Sequence, residues 1–143
     1  NLNFNLAYDD SKPLGNWAMH PHFTVLKSVI GNPVGVPGAD GGVYYEVGVA
    51  PGHTWGPVTL TVPLTVGLGD HKFYGGNTYG YFSAGTTLAV PLAFIPAAYG
   101  KWTLTSGVTF YNQSSTVAAA SAPAINNGGH NQWVFSGSVG TTF

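Results

Sequence analysis

The stretch Val58-Thr-Leu-Thr-Val-Pro-Leu-Thr-Val-Gly-Leu68 constrains the fold of this chain more than any other. Val58, Leu60, Val62, Leu64, Val66 and Leu68 fall on one parity, and Thr59, Thr61, Pro63, Thr65 and Gly67 on the other. A period of two means a β-strand with one apolar face and one small or polar face. At about 3.4 Å per residue it runs roughly 35 Å, enough to cross a bilayer when tilted. The class of the protein turns on what that apolar face touches.

Composition narrows that question. The chain has 143 residues, the size of one domain, and is 44% hydrophobic but only 6% charged. Soluble domains carry about 25% charged residues. Such a surface suits lipid, another subunit or attached sugar. The net charge is -1, Arg is absent, and no basic patch offers itself to nucleic acid, so none is expected as a partner. The absence of Cys excludes disulfides and thiolate metal sites. The longest apolar run, Ala89 to Ala98, is broken by Pro91 and Pro96, so no helix is expected to span a membrane. With no initiator Met and no leader pattern, the chain reads as a mature form or a fragment.

Alternation recurs along the chain. Strands are expected from Leu2 to Tyr8, about Trp17 to Ile30, Val43 to Ala50, Val58 to Leu68, about Tyr79 to Leu92, Trp102 to Phe110, and Trp133 to Phe143. Pro63 inside a strand suggests a bulge or an edge. Gly31 to Gly42 and Asn112 to Asn131 read as loops, and no useful helical period is present. The expected fold is all-β: an antiparallel meander of about seven or eight strands, as an outer-membrane-type barrel. The alternative is a secreted β-sandwich or small barrel.

Three features favour the membrane. Connections alternate, short after strands one, three and five and long after two, four and six, as in outer-membrane barrels. Aromatic residues gather near two rims. Tyr8, Trp17, Trp55, Phe94, Tyr99, Trp102 and Phe143 lie at one; Phe4, Tyr45, Phe73, Tyr74, Tyr79, Phe110, Tyr111 and Trp133 lie at the other. The last strand closes on Phe143, which resembles the C-terminal assembly signal of bacterial outer-membrane proteins.

Two runs carry a family resemblance: Gly42-Val-Tyr-Tyr-Glu-Val-Gly-Val-Ala-Pro51 and Gly56-Pro-Val-Thr-Leu-Thr-Val-Pro-Leu-Thr-Val-Gly-Leu68. Tyr79-Gly-Tyr-Phe-Ser-Ala-Gly85, Val90-Pro-Leu92 and Tyr99-Gly-Lys-Trp-Thr-Leu-Thr-Ser-Gly-Val108 continue it. Most of Gly42 to Tyr111 resembles a group of uncharacterised bacterial porin-like proteins. The resemblance implies an outer-membrane β-barrel and brings no catalytic residues. Members of that group are longer, with strands ahead of the region matching Asn1.

Seven strands is odd, and bacterial single-chain barrels are even. Three accounts are open: an N-terminal strand outside this sequence, a count off by one, or an edge that pairs with another chain. The partners expected are therefore membrane lipid and a homo-oligomer or neighbouring chain joined by strand pairing. The rival function is a subunit of an extracellular fibre; a lectin-like module ranks third, on loop aromatics such as Trp55 and Tyr74.

Candidate chemistry is sparse. His20 and His22 flank Pro21 and share a face if extended, so both rings could reach one metal; rim imidazoles bonded to backbone or water are the plain alternative. Glu46 is the acid inside a strand, and Lys27 is expected to pair with it as a structural ion pair or a selectivity charge in a pore. No nucleophile, acid-base pair or phosphate loop stands out, so neither an enzyme nor a cofactor is expected.

Overall fold

The computed structural model describes residues 1–29, 41–121 and 128–143. Its strands are β1 (Leu2–Ala7), β2 (His22–Ser28), β3 (Gly42–Val49), β4 (Gly52–Trp55) and β5 (Val58–Thr61). They continue as β6 (Leu64–Gly69), β7 (Tyr79–Pro91), β8 (Lys101–Gln113) and β9 (Asn131–Thr142). All nine form one sheet, and every pairing in it is antiparallel.

Prolines cut two long strands into four without bending the ladder. β5 and β6 both pair with β7: Thr61 lies opposite Thr87, and Leu64 opposite Ala84. Three residues forward on one strand match three back on the other, so the register does not slip across Pro63. The expected bulge or edge at Pro63 is absent, because only one rung is touched. Gly85 N donates to Pro63 O at 2.9 Å, and the proline ring has no N–H to return the bond. β3 and β4 are likewise collinear across Pro51, with Val49 opposite Leu64 and Gly52 opposite Thr61. With these pieces joined, the sheet is an uninterrupted meander whose neighbours in space are neighbours in sequence.

The connections differ from expectation at three places. The third strand runs on to Trp55, so its link to the next is only Gly56-Pro57. Gly56 has a φ of +56°, and a positive-φ Gly followed by Pro has the signs of a II′ hairpin turn. The link after β1 is not a short turn. It holds α1 (Ser11–Leu14) and a 3-10 turn at Gly15–Trp17, so Trp17 lies outside β2. The loop after β8 holds a helix, α2 (Ser115–Ser121), where no helical period was legible. Of the two long loops expected, residues 31–40 and 122–127 lie outside the described residues, as does the Ile30 end of the second strand.

Exposure is inverted relative to a water-soluble sheet. Among the described residues the buried apolar side chains are Ala18, Phe73, Tyr74 and Ala118, none of them in a strand. Phe23, Tyr45, Val47, Leu64, Leu88 and Leu104 are 36–52% exposed, and they share the apolar face. The buried strand positions lie mostly on the other parity: Gly48, Gly67, Ser83 and Gly85. The sheet is not closed. Among the described residues β1 pairs only with β2, and β9 only with β8.

Candidate functional site

The small-residue face makes room for a few large polar side chains. Gly48 sits where a Cβ would collide with the His22 ring and come within 2.7 Å of Leu64 O. Gly67 sits under the ring of Tyr81 in the same way. These two glycines supply space: they let an imidazole and a phenol lie flat across a neighbouring strand.

Glu46 stands at the centre of that arrangement. The hydroxyls of Tyr44 and Tyr81 both donate to its Oε2, Tyr81 at 2.7 Å, and the two hydroxyl oxygens are 3.1 Å apart. Its other oxygen, Oε1, faces His22 Nε2 at 3.7 Å. β2, β3 and β7 thus meet at one carboxylate, with Gly67 of β6 bridged over. Charge-assisted bonds to a carboxylate are the stronger kind. Tyr111 of β8 extends the group, its ring 6.1 Å from that of Tyr81.

The loop between β6 and β7 covers one side of this cluster. Asp70 Oδ1 accepts from Phe73 N at 2.8 Å, and His71 Nδ1 lies 2.7 Å from Gly76 O. The loop so fixed turns Phe73 and Tyr74 inward, 3% and 4% exposed. Both rings pack on Tyr44, with centroids at 5.3 and 6.3 Å. Burial pushes the Tyr74 phenol well above its ordinary pKa. Phe73 and Tyr74 are therefore not rim residues, as their loop position suggested, and Tyr111 also faces the polar side. Of that expected rim, Phe4, Tyr45 and Trp133 are exposed, and Trp133 packs on Phe110 at 5.0 Å. At the opposite end Tyr8, Trp17, Trp55, Phe94, Tyr99 and Phe143 are 54–95% exposed.

The pair expected between Lys27 and Glu46 does not form. Lys27 lies opposite Val43 and Glu46 opposite Thr24, so the two side chains leave opposite faces of the sheet. Lys27 falls on the apolar parity, beside Leu2. Strand spacing alone brings the two together, and parity separates them.

The histidines also part company. His20 is not in a strand: its φ is +45°, and its Nδ1 lies 3.8 Å from Asp9 and 3.9 Å from Asp10. The cause is Asp10, a buried carboxylate that accepts Met19 N at 2.9 Å and His20 N at 2.9 Å. Burial works against its charge, but those backbone N–H groups win and hold its pKa below the ordinary carboxylate value. Asp9 is lowered as well, by hydrogen bonds from Ser11. His20 thus turns to Asp9 and Asp10 while His22 turns to Glu46, so the two rings do not converge on one ligand. Among the described residues no group of three or more His, Cys, Asp or Glu side chains could hold a metal ion.

Glu46 and His22 stood out in the sequence, each with the wrong partner. Tyr44 and Tyr81 did not. The signal available was Tyr at polar-parity positions, interleaved with glycines in the neighbouring strands. Compared with known proteins, the chain matches no family model, no curated protein and no solved structure.

Proposed function

We propose that the chain is part of a porin-like β-barrel of the bacterial outer membrane, structural or passively conducting, with no enzymatic activity. The observation that carries this is the inverted exposure: Val47, Leu64, Leu88 and Leu104 face out while Gly67, Ser83 and Gly85 are buried on the small-residue face. In water such a surface is a liability; in hydrocarbon it is the ordinary outer face of a barrel strand. The exposed aromatic residues fit the same picture, gathered as they are toward the strand ends. Amphipathic rings favour the interface.

On this reading the polar face is the barrel interior, and Glu46 with its phenols lies within it. A barrel of about eight strands is filled by its own side chains. The buried Phe73 and Tyr74 fit that, and favour a structural role or a tightly gated path over an open channel. The test is partition of the purified chain between buffer and detergent, followed by gel migration with and without boiling. Detergent dependence with heat-shifted migration is expected. A chain that stays monodisperse in plain buffer overturns the reading.

A second reading rests on a different observation, the two unpaired sheet edges. They suit a secreted subunit that assembles edge to edge into an extracellular fibre. Filaments formed in buffer without detergent would favour it.

A further inference from the structure

β1 and β9 run in the same direction. Each step from β1 through β2, the β3–β4 strand, the β5–β6 strand, β7 and β8 to β9 reverses the chain, and the meander contains an even number of reversals. Direct closure of β9 on β1 would therefore need a parallel junction in an otherwise antiparallel sheet. No such junction is present among the described residues.

The hydrogen-bonding groups on the two edges can be assigned by register. Gln113 N donates to His130 O, so the even-numbered residues of β9 bond to β8. Asn131, Trp133, Phe135, Gly137, Val139 and Thr141 then turn their N–H and C=O groups away from β8, and their side chains lie on the apolar face. At the other edge Tyr8 N donates to Pro21 O, so the even residues of β1 bond to β2. Asn3, Asn5 and Ala7 turn outward, with side chains on the polar face. One antiparallel strand fits both edges at once. Its apolar-facing residues would bond to β9 and its polar-facing residues to β1, the alternation every interior strand of this sheet already has.

Neither edge carries the usual protection. β9 has no charge and no proline from Asn131 to Thr142, and neither does β1 from Leu2 to Ala7. Natural sheets blunt an exposed edge with Lys, Pro or a bulge. In hydrocarbon the outward groups of β9 would have no water to pair with, and each would be costly to leave unpaired. We propose that one uncharged extended segment, alternating apolar with small polar residues, inserts between β9 and β1 antiparallel to both. The two edges share one direction in either solvent; the need to cover them rests on the barrel reading.

The probe is a synthetic peptide with the sequence of residues 102–113, the uncharged part of the strand that already lies antiparallel to β9. It is added to the full chain in dodecylmaltoside and amide exchange is followed by NMR. The expected result is one peptide per chain, with exchange at the outward residues of β9 and at Asn3, Asn5 and Ala7 slowed about 100-fold. Gly137→Pro removes an outward N–H where no other atom lies within 4 Å of a Cβ, and leaves the β8 rungs alone. It should abolish peptide protection, while Gly137→Ala retains it and far-UV circular dichroism is unchanged in both. The inference is overturned by no protection in the wild type, by protection of one edge only, or by both edges already protected without peptide. Protection that rises with protein concentration alone would do so too, since a second copy would then be the occupant. Detergent partition of the chain by itself judges the barrel reading separately.

Discussion

Glu46 is the carboxylate on which the polar face converges, and its neighbours make single-residue predictions possible. Glu46→Ala leaves the hydroxyls of Tyr44 and Tyr81 without their acceptor, which should cost about 1–3 kcal/mol in urea unfolding in detergent. Glu46→Gln keeps an acceptor oxygen and should recover most of that loss. Equal destabilisation by both variants would show that the charge matters and the hydrogen bonds do not. Asp10 gives a prediction in pH. Its pKa is lowered in the folded chain, so it binds fewer protons folded than unfolded in the acid range. Its contribution is fully present above its unfolded pKa of about 3.9 and is lost as pH falls through the lower folded value. Exchange at the Met19 and His20 amides should quicken in that window, and Asp10→Ala should make it fast at every pH. An acid step that survives in Asp10→Ala would assign the effect to Asp9, whose pKa is lowered as well.

At the scale of elements, the hairpin that joins β4 to β5 depends on one backbone conformation. Gly56 at φ +56° has nothing within 4 Å of a Cβ, so Gly56→Val tests conformation without a clash. The substitution should destabilise by about 1–2 kcal/mol, the cost of the left-handed region for an L side chain. Urea unfolding in detergent measures it, and an unchanged midpoint would mean that the turn has relaxed to another type. The α1 segment is an element of a different kind. Four residues make no stable helix alone. Asp10 holds the segment in place, through bonds to residues nine and ten positions further on. That is why the alternating pattern from Trp17 misled: local periodicity carries no trace of a carboxylate reaching across a loop. α2 was missed for a similar reason. Its sequence, STVAAAS, is small and featureless, and its anchor is the burial of Ala118 against the sheet.

For the whole molecule, the barrel reading requires the two faces to respond oppositely to charge. Val47→Arg on the apolar face should cost about 2–4 kcal/mol if that position lies near the bilayer midplane. Thr61→Lys points into a cavity of about 380 Å³ on the other face, shared with His20, Thr54 and Thr59. It should change stability by no more than about 1 kcal/mol. Folding yield into dilauroylphosphatidylcholine vesicles compares the two. If Val47→Arg inserts as well as Thr61→Lys, the apolar face does not meet lipid. The same scale explains why closure was hard to read. Strand existence and the antiparallel order follow from period-two alternation, which is local. Whether the sheet closes is settled by its edges, and an edge is defined only by what lies beside it.

The sequence alone determined that most of the chain would be strands, which faces would be greasy and which small, and that Pro63 would sit in a long extended run. Those properties are set residue by residue, through alternation and side-chain size. That the preceding strand also runs on through Pro51 to Trp55 came only with the pairing. Only the tertiary structure decided that Glu46 answers to Tyr44 and Tyr81 and not to Lys27. A one-residue difference in parity sends a side chain to the other face, and register is fixed by pairing between strands far apart in the chain.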